Sequence, residues 1–194
     1  VLARLPGAPA GTKGISLFIV PKFNVNEDGS IGERNTVTCG SIEHKMGIKA
    51  SATAVLNFDK AKGYLIGPEN KGLNCMFTFM NTARIGTAIQ GLTAAELAFQ
   101  GGLSYAKDRL AMRALSGAKA PEQVADPIIV HPAVRNMVLT CKAFAEGGRA
   151  LVYYLSQFSD VVTKGEGETQ AYADQMLSFL TPIAKTFLTE TGYE

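Results

Sequence analysis

The stretch Gly40 to Ser51, GSIEHKMGIKAS, places one of only two histidines between a carboxylate and an ammonium, Glu43-His44-Lys45. Such a trio could relay a proton or contribute metal ligands. Adjacent residues on a strand point to opposite faces, however, so the three cannot converge on one atom, and a solvated strand end is the plainer reading. His44 and His131 stand in different halves of the chain with no third ligand at useful spacing, so no metal site is expected. Cys39, Cys75 and Cys141 are odd in number and widely spaced, which argues against a disulfide framework or zinc site and points to a reducing compartment. No G-x-S-x-G elbow, phosphate loop or Cys-x-x-Cys is present, so acyl transfer through serine and nucleotide hydrolysis have no template.

The arginines are the next candidates. Arg84 sits among apolar and small residues in FMNTARIGTAIQG. A buried guanidinium there needs a carboxylate from elsewhere in the fold or an anionic ligand, because an unpaired buried charge is costly. Arg109 and Arg113, in AKDRLAMR, are spaced to lie one helical turn apart, where both could grip a phosphate or simply mark an exposed helix end.

These side chains must be carried by two kinds of structure. The chain has 194 residues, 46% hydrophobic and 19% charged, with net charge +2, so bulk charge gives no case for nucleic acid or an anionic membrane. No apolar run approaches the roughly 20 residues of a spanning helix. From Val1 to about Gly67 the pattern is antiparallel β: GISLFIVPKF stopped by Pro21, a turn at EDGSIG, then NTVTCGSI and SATAVLNFD. Val1 to Leu5 reads as one more strand, with partners expected upstream of the chain. Helical spacing takes over from Gly72 to about Met112, from His131 to Phe158 and from Glu168 to Leu188, with Pro182 expected to kink or bound the last helix. Gly86, Gly91, Gly101 and Gly102 weaken the first helix and predict close packing there against a neighbouring helix or a ligand. Three such helices ask for a fourth, expected after Glu194. The opening VLARLPGAPAGTKG, with neither an initiator methionine nor a signal-peptide build, adds to the expectation of a piece of a larger protein.

In combination these segments resemble the acyl-CoA dehydrogenase family, in its larger bacterial branch. The resemblance covers essentially the whole chain: GISLFIVPKF, then GSIEHKMGIKAS with its Lys-Met-Gly turn, then a Leu-Ile-Gly loop, a glycine-led helix carrying an arginine, and KDRLAMR followed by HPAVRNMVL. It implies an α+β fold, with the second part of a middle β-domain at 1–70 and the first part of a C-terminal up-down helical bundle at 71–194. It also implies FAD, an acyl-CoA substrate, an electron-transfer flavoprotein or similar acceptor, a homodimer or homotetramer, and a cytoplasmic location. The implied reaction is α,β-dehydrogenation, in which a glutamate removes the α-proton while the β-hydride passes to FAD.

Carried over residue by residue, the resemblance implies that Asn81 and Arg84 line the substrate side of the pocket. The Lys45-Met46-Gly47 bend would bring Lys49 to Thr53 beside acyl group and flavin, with Ser51 foremost and Gly47 chosen for its lack of Cβ. Arg109 matches the arginine that reaches the FAD diphosphate, in many members across a subunit interface, with Ala111 and Met112 beside it. His131 and Pro132 match a position near the same cofactor, although many relatives have glutamine where Pro132 stands. No catalytic residue is expected in this stretch: the base lies in a glycine-rich loop that does not occur before Glu194, and Glu190 and Glu194 lack its GG-x-GF context. The upstream segment that holds the flavin ring is also lacking, so the piece alone is expected to be inactive. Two other readings share the scaffold: a repurposed relative serving as an assembly or binding module, and a flavin oxidase or monooxygenase.

Overall fold

A computed structural model describes residues Val1–Glu194. It divides into two compact units, Val1–Thr78 and Phe79–Glu194.

The first unit holds seven short strands: β1 (Leu2–Arg4), β2 (Ile15–Ile19), β3 (Phe23–Val25), β4 (Ile31–Arg34), β5 (Val37–Ile42), β6 (Ala54–Phe58) and β7 (Tyr64–Ile66). They form a three-stranded sheet in the order β1-β2-β7 and two separate ribbons, β3-β4 and β5-β6, all antiparallel. The β character is as read from the sequence, with two details added. β1 pairs with β2 within the chain, Leu2 opposite Leu17 and Arg4 opposite Ile15, on one of its two edges. Tyr64–Ile66, read as part of a loop, is a strand, because β2 offers its second edge to a segment too short to announce itself by alternation. The expected turn before β4 is a closed one: the Asp28 carboxylate accepts from the Ser30 N–H (3.0 Å) and hydroxyl (2.6 Å), and Gly29 takes φ +82°.

Two buried polar side chains organise this unit. The Asn35 amide donates to the Pro21 and Lys62 carbonyls (2.9 and 2.8 Å), while its oxygen accepts from the Thr36 and Lys62 N–H groups (3.0 and 2.9 Å). Ser16, fully buried on β2, accepts from the Asn70 N–H at 2.8 Å. Close by, a Cβ on Gly72 would lie 2.7 Å from the Ser16 Cα, so the position where the first helix starts admits only glycine.

The second unit contains most of α1 (Gly72–Asp108), then α2 (Pro132–Lys164) and α3 (Gly167–Tyr193). Ile85 on α1 packs with Leu155 on α2 and Leu177 and Ala184 on α3; Ala88 and Leu92 meet Val152 and Leu188. These matches run the helices up, down and up. α1 ends at Asp108 rather than near Met112, α2 continues past Phe158, and α3 runs unbroken through Pro182, which therefore does not bound it. Proline in mid-helix leaves a carbonyl without its N–H. That carbonyl is Ser178's; the neighbouring Thr181, buried, turns its hydroxyl to the preceding one, the Leu177 carbonyl, at 2.5 Å.

Of the four glycines expected to mark close packing, only Gly91 does. A Cβ there would strike the Leu188 carbonyl and lie 2.9 Å from the Thr189 Cα, and Gly192 returns the approach from α3. Gly86, Gly101 and Gly102 face open space. Arg149 on α2 bonds Glu96 on α1 at 2.6 Å, a pairing that sequence separation hid.

Candidate functional site

The 23 residues between α1 and α2 read as a break in the sequence, but they form the most tightly hydrogen-bonded loop of the second unit. Its centre is Asp126. The side chain is 0% exposed and its carboxylate accepts from the N–H groups of Ala114, Lys119 and Ala120, each at 2.8 Å, and from Arg113 at 3.2 Å. These donors hold the carboxyl well below the usual carboxylate range: the Ala114 N–H contributes most, burial opposes it, and the Ala120 and Lys119 N–H groups and Arg113 add to it. The backbone of Asp126 is engaged too, donating to the Met112 carbonyl (2.9 Å) and accepting from the Ala111 N–H (3.0 Å).

This arrangement separates two arginines that the sequence treats alike. α1 stops before Arg109, so Arg109 and Arg113 are not on one helical face and do not form a joint phosphate grip. Arg113 is spent inside the loop, on Asp126, on the Ala120 carbonyl at 2.8 Å and on the Gln123 carbonyl at 2.5 Å. Arg109 is exposed and its side chain makes no ion pair within the chain. Its carbonyl accepts from Ile128 N–H at 2.8 Å, which ties its backbone to the approach of α2.

His131 is the N-cap residue of α2 and Pro132 its first helical residue, a position where the missing N–H costs nothing. The His131 Nε2 lies 2.9 Å from the Ala111 carbonyl. A carbonyl can only accept, so Nε2 carries the hydrogen, and in the neutral tautomer that this selects Nδ1 is the acceptor. Met112, 79% exposed, holds φ +61°, a left-handed conformation that an unbranched side chain adopts only under constraint. Arg109, Ala111, Met112, His131 and Pro132, chosen separately along the sequence, are thus one local structure.

The other candidates stand apart from it. Asn81 and Arg84 are three residues apart on α1, so they share a face, and both are half-buried. Arg84 is not buried, and no carboxylate of this chain pairs with it. Ser51 is exposed in the β5-β6 loop, where its carbonyl accepts from the Lys45 ammonium and its N–H donates to the Ile48 carbonyl at 3.2 Å. The bend there does not depend on Gly47, which has open space where a Cβ would be; the left-handed residue is Ile48, at φ +49°. Glu43, His44 and Lys45 follow the end of β5, and no hydrogen bond joins their side chains. Asp126 was missed in the sequence, although a short acid among Ala, Gly and Pro in a loop is the composition in which one carboxylate can collect many N–H groups.

The donor set suits a diphosphate. The first turn of α2 contains no acidic side chain, the N–H groups of a helix's first turn have no helical acceptor, and Arg109, exposed and without an ion pair, is tied through its carbonyl to the Ile128 N–H ahead of that helix. The residues present therefore fit the phosphate portion of a dinucleotide such as FAD.

No protein-family model matches the chain. It is 47% identical over 194 residues to 3-methylmercaptopropionyl-CoA dehydrogenase of Ruegeria pomeroyi, an alignment that covers 100% of this chain and 32% of that protein. It is 38% identical over 205 residues to a butyryl-CoA dehydrogenase of Syntrophomonas wolfei, covering 100% of this chain and 33% of the relative. Among solved structures it superposes on Caenorhabditis elegans ACDH-11 in complex with C11-CoA with a TM-score of 0.75 at 19% identity, over 94% of this chain and 28% of that one. The chain spans about a third of the length of the curated relatives it matches. The order of the β and helical segments and the sequence identity along every part of the chain agree: it belongs to the acyl-CoA dehydrogenase family.

Proposed function

We propose that this chain forms part of an FAD-dependent acyl-CoA dehydrogenase: the second part of the middle β-domain, residues 1–70, and the first part of the C-terminal helical bundle, residues 71–194. The intact protein converts an acyl-CoA to the trans-2-enoyl-CoA, with bound FAD supplying the acceptor for the β-hydride and a base from outside this stretch taking the α-proton.

The observation that carries this reading is the loop before α2. There one arginine is paired within the loop, and the other is exposed and unpaired, with its carbonyl bonded to the Ile128 N–H just ahead of α2. Arg109 supplies a planar pair of donors for a phosphate, and the first turn of α2 supplies backbone N–H groups and the positive end of its dipole. His131, held through Nε2, offers Nδ1 to a donor on the same ligand. Asn81 and Arg84 serve the acyl-CoA side from α1, and Ser51 from the β5-β6 loop. The intact protein works as a homodimer or homotetramer and passes electrons to an electron-transfer flavoprotein or a similar acceptor. The relatives named as acyl-CoA dehydrogenases support the substrate class.

The test is spectroscopic. The intact protein, purified without added flavin, is expected to be yellow and to lose its visible flavin band when an acyl-CoA is added without oxygen. A preparation that binds no FAD under any condition overturns the reading. Rapid oxygen consumption with no reduction of an added acceptor would place the protein among flavin oxidases instead.

A further inference from the structure

We propose that Asp126 is the positioning residue of the diphosphate site: it touches no ligand but fixes Arg109 and His131 relative to one another. The proposal rests on the reading of this loop as the FAD site.

Three observations carry it. First, Asp126 joins both sides of the loop. Its carboxylate gathers the N–H groups of Ala114, Lys119 and Ala120, while its backbone bonds Ala111 and Met112 in both directions. The segment after Arg109 is thereby laid antiparallel against the segment before His131, with Leu110 bridging Pro127. Second, the ring of His131 reaches the same strip, at the Ala111 carbonyl. Displacing Ala111 would move Arg109 and His131 apart and also free Met112 from its left-handed conformation. Third, Asp126 decides which arginine is available. By pairing with Arg113, whose guanidinium is also bonded to the Ala120 and Gln123 carbonyls, it leaves Arg109 as the arginine of the two with no partner in the loop. A core residue would stabilise the loop without making that distinction.

The experiment is a double-mutant cycle in the intact protein, read as the FAD dissociation constant from flavin fluorescence, with thermal unfolding of each variant measured in parallel. Asp126→Asn and Arg109→Ala are each expected to weaken FAD binding by about tenfold or more, and the double variant by no more than about twofold beyond the weaker single one, because Asp126 acts through Arg109. Leu155→Ala, in the bundle core, should lower the melting temperature and leave FAD affinity within about twofold at temperatures where it is folded. Full additivity of the two losses overturns the proposal, as does an Asp126→Asn protein that binds FAD normally while Arg109→Ala does not. If Arg109→Ala binds FAD as well as the parent, the site assignment and this proposal fall together. Should Asp126→Asn give no folded protein, Arg113→Gln withdraws one arm of the same clamp and is decided on the same cycle with Arg109→Ala.

Discussion

The two units are stabilised by opposite means. Every buried apolar residue of the chain lies in the helical unit, from Ile85 to Leu188, whereas the buried side chains of the β unit are polar, Ser16 and Asn35. In the bundle, stability grows with apolar area removed from water and is tolerant of shape. In the β unit, one asparagine satisfies four backbone groups at the meeting of three segments, so stability there depends on hydrogen-bond geometry. A volume-conserving change should therefore be mild in one unit and damaging in the other.

The largest effect is expected in the bundle. Leu155→Ala should cost about 2–5 kcal/mol in denaturant unfolding, while Leu155→Met should cost less than about 1.5 kcal/mol. Asn35→Leu reverses that pattern: although apolar and of similar size, it strands buried backbone donors and acceptors and should cost about 1–3 kcal/mol. Equal tolerance at the two sites would erase the contrast. Along α1, Gly91→Ala forces a methyl group onto the α3 backbone and should cost about 1–3 kcal/mol, whereas Gly86→Ala should stabilise by about 0.5–1 kcal/mol through helix propensity alone. A loss at Gly86 would reveal another surface seated against that face in the intact protein.

The Asp126 loop combines both modes, and acid separates them. Its carboxyl titrates below its ordinary value of 3.8, so the folded state binds the proton less readily than the unfolded one. The resulting stabilisation is complete above the unfolded value and is lost as pH falls through the folded one. The difference in melting temperature between parent and Asp126→Asn should thus be largest near neutral pH and shrink as pH falls below about 4. A difference that stays constant down to about pH 3 would show that the charge does not matter and only the shape does.

Legibility followed the length of the interaction in sequence. The three helices were visible because apolar spacing recurs along each of them, and the hairpin turn before Ser30 because its residues bond one another. β7 was hidden, since three residues carry no period, and Asn35 gives no sign that it reaches Lys62. The site showed the same division. Arg109, Ala111, Met112, His131 and Pro132 could be nominated by resemblance, but the assumption that Arg109 and Arg113 share a helical face failed where α1 ends at Asp108.

By itself the sequence determined the class of structure, a β segment followed by long helices, together with the family. Those properties reside in composition, period and order, which need no third dimension. Tertiary structure decided which glycine is a contact, which arginine is free, and that Asp126 governs the loop. Each of these depends on groups that approach within a few ångströms after the chain has folded back, and neither hydrogen bonds nor burial can be assigned to a residue until its neighbours are known.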